Sequence, residues 1–201
     1  MSARLVAGIA IALVAAAATH PFAQPARQAP STPERGNALE GYFPNVMVTT
    51  HEKRRVRFFD DLVKGRTVAI NFMFASCTAV CPLSTDNLRK VQELIQARLG
   101  KDVLMLSISI DPKSDTPDVL AKYAAAHGVK PGWLFLTASP KDLDRLRRRL
   151  ASTDDKDDLS QHTGMLTYGN EPAGQWRTTN VMTAPDKLAR DVLRLADGKF
   201  W

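Results

Sequence analysis

Two runs in this chain, TVAINFMF (67–74) and VLMLSISI (103–110), are apolar and β-prone, with little alternation of polar and apolar residues. Strands buried on both faces have that composition, whereas a half-exposed strand alternates. Between them Leu88, Val91, Leu94, Ile95 and Leu99 recur at helical spacing, and Gly100 follows as a stop. The segment therefore predicts a strand–helix–strand unit with a right-handed crossover.

The same pattern continues downstream. TPDVLAKYAAAHG (116–128) places Leu120, Tyr123 and Ala124 on one helical face and ends at Gly128, and WLFLT (133–137) predicts the next strand. Ser139, Pro140 and Asp142 supply an N-cap, a proline in the first turn and an early acidic residue ahead of Leu143, Leu146 and Leu150. MLTY and QWRTT, separated by GNEPAG, predict an antiparallel hairpin, and Pro185 to Leu195 a last helix with Leu188, Val192 and Leu195 on one face. Near the start of the domain, VMVTT and VRFFDDL flank the charged HEKRR as an N-terminal β-hairpin. The expected fold class is an α/β sandwich, a mixed β-sheet flanked by helices.

The N-terminus reads differently. Arg4 precedes fourteen uncharged, mostly apolar residues, Leu5 to Ala18, followed by small residues. Residues 1–23 are expected to be an export signal cleaved after Ala18 or Ala23, because a full span needs about 20 apolar residues. A retained anchor is the alternative. Residues 24–40 are rich in proline and small polar residues and read as a flexible linker to the domain at 41–201. The expected location is the periplasm, free or tethered to the outer face of the cytoplasmic membrane. Without residues 1–23 the chain loses only Arg4 and keeps 26 basic against 21 acidic side chains, a formal charge of +5. Its basic clusters, HEKRRVR and RLRRR, lack interleaved aromatic residues and read as solvated faces, so no nucleic acid is expected as a partner.

Both cysteines of the chain fall in FMFASCTAVCP, at Cys77 and Cys81. Bridging so short a loop for stability would gain only about 2 kcal/mol on the chain-entropy model, so a functional pair is the expectation. On a helical turn, positions four apart lie about 5–6 Å from each other on one face. A helix N-terminus would lower the thiol pKa and make the pair reactive. The spacing is one residue longer than the C-x-x-C redox motif. A structural zinc site would have to recruit two of the four histidines, while two thiolates with one imidazole suit copper. His20 lies beside the export segment, His51 in a charged turn and His127 at a helix end. His162, in LSQHTGMLTY, precedes a predicted strand and is the leading third ligand. Met73, Met105 and Met165 are expected in strands as core residues.

From about Tyr42 to Leu195 the chain resembles the Sco/SenC family, exported thioredoxin-fold proteins that handle copper for respiratory oxidases. The resemblance rests on YFPNVMVTT, on VRFFDDLVKGRTVAINFMFASCTAVCP, on SISIDPKSDTPDVLAKYAAAHG and on His162 in QHTGMLTY. It implies a thioredoxin-like sandwich and one copper ion, Cu(I), Cu(II) or both, on Cys77, Cys81 and His162. It also implies delivery to the CuA site of cytochrome c oxidase subunit II, or thiol reduction of that site's cysteines before loading. Another exported copper enzyme, a thiol reductant or a copper donor protein are the further partners considered. Ala79 and Thr78 stand where many members have an acidic residue and a proline, which removes a negative charge from beside the metal.

Two other functions share the residues. A thiol-disulfide oxidoreductase would use Cys77 and Cys81 as a redox-active pair without carrying metal. A thiol peroxidase would use Thr78, Cys81 and Pro82, although Phe74 stands where that family has a proline. Asp111 and Asp115 in DPKSDTP are expected to be structural, Asp111 with Pro112 ending a strand and Asp115 with Thr116 and Pro117 capping a helix.

Overall fold

In the computed structural model, which describes residues 42–78, 80–150 and 164–200, the two apolar runs are adjacent parallel strands. Strand β3 (Thr67–Met73) pairs with β4 (Val103–Ser109), and β4 pairs in parallel with β5 (Trp133–Ala138). Helix α1 (Val80–Leu94) joins β3 to β4, and α2 (Pro117–Ala126) joins β4 to β5. The seven-stranded sheet is mixed, in the order β2-β1-β5-β4-β3-β6-β7. The N-terminal hairpin β1 (Met47–Thr50) and β2 (Arg55–Arg57) adds antiparallel to β5. On the other side β6 (Met165–Asn170) runs antiparallel to β3, and β7 (Gln175–Asn180) closes that edge.

The central strands are mostly apolar on both sides because each face of the sheet has its own core. Ala69 and Met73 of β3, Val103 and Met105 of β4, and Trp133 and Phe135 of β5 join Leu88, Val91 and Ile95 of α1 and Leu120 of α2. Leu188, Val192 and Leu195 of α4 (Pro185–Ala196) complete that layer. The alternate residues, Val68, Ile70, Leu104, Leu106, Leu134 and Leu136, pack with Leu143, Leu146 and Leu150, carried by α3 (Pro140–Arg149) and the residue that ends it. Ser139 caps α3 by accepting from the Asp142 N–H at 3.2 Å, as its sequence predicts.

Two local expectations fail. VRFFDDL is a strand only to Arg57; Phe58–Val63 winds into a π-helical turn that buries Phe58, Phe59, Leu62 and Val63. Adjacent pairs of apolar residues four apart are a helical spacing, and a half-covered strand would expose one member of each pair. Leu94, expected on the buried face of α1, is 53% exposed, where the helix ends short of its periodic pattern. One backbone contact shapes the β4 to β5 passage. A Cβ on Gly132, whose φ is 96°, would stand 2.3 Å from the Gly100 nitrogen. No helix among the described residues is long and apolar enough to cross a membrane. Residues 1–40, with the expected signal and linker, lie outside the described residues.

Candidate metal centre

The loop that follows β3 carries both cysteines. The Cys77 N–H donates to the Phe74 carbonyl at 3.2 Å, turning the chain as it leaves the sheet. Helix α1 begins at Val80, so Cys81 sits in its first turn and Cys77 just before it. The backbone N–H of Cys81 points at the Cys77 sulfur, 3.3 Å away. A helix start leaves several N–H groups without helical partners, and here a thiol sulfur takes one of them. The two cysteines are 8% and 1% exposed and belong to the core layer that α1, α2 and α4 build against the sheet.

Burial overturns one expectation about their chemistry. The Cys81 thiol is pushed up to about 12, mainly because its thiolate would lose water, and secondarily through its hydrogen bond with Cys77. The helix N-terminus does not offset that loss. A thiol pKa raised by burial disfavours Cys81 as the nucleophile of a thiol peroxidase. A soft cation can still be held, since metal binding displaces the thiol proton.

Two polar groups border the pair. The Tyr123 hydroxyl lies 2.9 Å from Thr85 Oγ1 on α1, and burial pushes its pKa up to about 12. Asp115 Oδ2 accepts from the Ala75 N–H at 3.0 Å and from Ser109 Oγ at 2.6 Å. Burial raises its carboxyl, and those two hydrogen bonds oppose the rise. Of the expected cap of α2, Thr116 and Pro117 hold, Thr116 accepting from the Val119 N–H, while Asp115 takes no part in it. The signal was present in the sequence, since a threonine directly before Pro117 is a sufficient cap and leaves the aspartate spare.

The described histidines are engaged elsewhere. His51 Nδ1 accepts from the Phe135 N–H at 3.1 Å, tying the β1–β2 turn to β5, and His127 ends α2 stacked on Tyr123. Met73 and Met105 are core residues, as expected, whereas Met165, at the start of β6, is only half-buried and lies outside the core. Among the described residues no three His, Cys, Asp or Glu side chains form a group able to hold a metal. His162 lies outside the described residues; Gly164, two positions later, does not. The Gly164 carbonyl accepts from the Val181 N–H at 2.7 Å, and Asn87 of α1 donates through Nδ2 to the carbonyls of Val181 and Thr183 at 2.8 and 2.9 Å. The β3–β6 register pairs Asn71 with Leu166, so carrying it on by two residues would set Gly164 across from Met73. Asn87 escaped the sequence reading because a lone asparagine in a helix carries no spacing signal.

The SCO1/SenC family model matches residues 46–197, three quarters of the chain. The chain belongs to the SCO1/SenC family. It is similar to the SCO2-like protein of Rickettsia conorii, with 38% identity over 144 residues, 68% of this chain and 69% of that protein. The chain spans less than two thirds of the length of the first curated relatives it matches. Among solved structures it is similar to the copper-bound ScoI of Bradyrhizobium japonicum, at 22% identity and TM-score 0.62, covering 75% of this chain and 96% of that one. It is also similar to BsSco, described with a disulfide switch and as a member of the Sco family of cytochrome c oxidase assembly proteins, at 22% identity and TM-score 0.61, covering 77% and 94%. These likenesses establish the SCO1/SenC chain as a thioredoxin-like mixed sheet flanked by helices.

Proposed function

We propose that this SCO1/SenC chain is an exported copper carrier that binds one copper ion through Cys77, Cys81 and His162. Its recipient is the CuA site of a respiratory oxidase, which it loads or prepares for loading. The observation that carries the reading is the contact between Cys81 N–H and the Cys77 sulfur, with both cysteines buried just after a central strand. Two soft sulfur donors on one turn suit copper better than a hard cation, and a nearly water-free setting strengthens their hold on it. His162 enters from the family resemblance and from the tie of Gly164 to α1 through Val181 and Asn87. The copper is cargo here, and the protein's part is to present donors, exclude water and keep the pair reduced until transfer.

A second reading uses the same pair. The cysteines are close enough in sequence to close a disulfide, so the chain is also suited to reduce the cysteines of the copper site; the pair then loses two electrons and two protons as its own S–S bond forms. The described disulfide switch of BsSco is in keeping with that chemistry. Anaerobic titration of the reduced full chain with Cu(I) tests the carrier reading. One equivalent bound, with loss of binding on Cys77→Ser, supports it; no uptake by the wild-type chain leaves the reductase reading alone.

A further inference from the structure

Asp115 lies on the turn between β4 and α2, 1% exposed, and α2 has no need of it as a cap because Thr116 serves. Its Oδ1 is buried with no hydrogen-bond partner. A buried carboxylate with one orphan oxygen is unfavourable for a turn that an amide or hydroxyl would complete. What Oδ2 reaches outside its own turn is the Ala75 N–H, two residues before Cys77. Ser109 Oγ, at the end of β4, fixes the carboxylate from the other side and in turn accepts from the Asp111 N–H at 3.0 Å. Within this loop the Cys77 N–H bonds back to the Phe74 carbonyl, while the Ala75 N–H reaches the Asp115 carboxylate on the far turn. Asp115 thus ties the loop that carries Cys77 to the turn after β4.

We propose that Asp115 is a positioning residue of the cysteine pair, an inference that rests on the copper reading above. By gripping the Ala75 N–H it holds the loop between β3 and α1 so that the Cys77 sulfur stays beneath the Cys81 amide. The grip raises the effective concentration of each sulfur for the other and for a shared cation. Its effect on the geometry of the two sulfurs is read apart from any effect on stability.

The test is thiol exchange in the metal-free full chain. The oxidised pair reacts with two glutathione molecules to give the Cys77 and Cys81 thiols and glutathione disulfide. The protein's S–S bond breaks, that of glutathione disulfide forms, and two electrons and two protons pass to the cysteine sulfurs. In Asp115→Ala the freed loop lowers effective concentration, so the equilibrium shifts about tenfold toward the dithiol, and copper binding weakens in parallel. Asp115→Asn stays within about twofold of wild type, since its side-chain oxygen can accept both hydrogen bonds. A folded Asp115→Ala chain that exchanges like wild type overturns the inference, as does an Asp115→Asn chain that shifts as far as the alanine variant. Loss of melting temperature with an unchanged exchange equilibrium marks a merely structural residue and also overturns it. If Asp115→Ala does not fold, Ser109→Ala loosens the carboxylate while keeping it, and an equilibrium shift of about threefold in the same direction is expected; no shift overturns the inference. Failure of the wild-type chain to take up copper would sink the carrier reading instead and leave the exchange measurement intact.

Discussion

The backbone N–H of Cys81 and the sulfur of Cys77 are 3.3 Å apart, joined across the start of α1. The contact makes Cys77 part of the helix start. Chemistry at the sulfur is thereby coupled to the backbone of the first turn, where an oxidised or metal-bound sulfur accepts from that N–H differently from a thiol.

Replacing His162, and not either cysteine, separates the functions. Cys77→Ser and Cys81→Ser should each abolish both copper binding and thiol exchange, because a serine hydroxyl is neither a soft donor nor a disulfide partner. His162→Ala should weaken Cu(I) binding sharply while leaving glutathione exchange of the metal-free pair within about twofold. Competition against a Cu(I) chelator and redox titration read the two effects. Unchanged copper affinity in His162→Ala would remove that residue from the site.

Asn87 is buried and holds two carbonyls of the turn between β7 and α4. Asn87→Ala leaves both without that donor and should cost about 1–3 kcal/mol in a denaturant titration. A variant as stable as wild type would show that water replaces the amide without loss.

Asp115 gives the fold a pH dependence of definite sign. Its folded pKa is raised by burial, so the folded state holds this proton more tightly than the unfolded chain does. The stability it lends is fully present below its unfolded value and is lost as pH rises through its folded one. Asp115→Asn removes the titration, so its stability relative to wild type should increase from acid toward neutral pH and then level off. Parallel stability curves for the two proteins across that window would contradict the assignment.

Gly132 and Gly174 should respond differently to alanine. Both have positive φ, but a Cβ on Gly132 meets the Gly100 backbone at 2.3 Å, while one on Gly174 meets nothing within 4 Å. Gly174→Ala should cost about 1 kcal/mol, the conformational strain alone. Gly132→Ala adds a clash with backbone that cannot rotate away and should cost more than about 2 kcal/mol. Equal melting temperatures for the two variants would show that the passage between β4 and β5 yields.

By itself the sequence determined the central strands, because burial on both faces leaves β3, β4 and β5 mostly apolar at successive positions, a mark that composition shows. It also determined the helix starts at Ser139 and Thr116–Pro117, whose capping is a matter of neighbouring residues, and it placed two sulfur donors on one turn beside a family pattern that adds His162. Tertiary structure decided the rest. The bend at Phe58, the exposure of Leu94 and the high pKa of Cys81 depend on which other segments cover those residues. The turn of the Asp115 carboxylate toward Ala75 depends on a neighbour forty positions away. Local propensity acts over a few residues, whereas desolvation and hydrogen-bond partners are set by segments that meet only when the sheet closes.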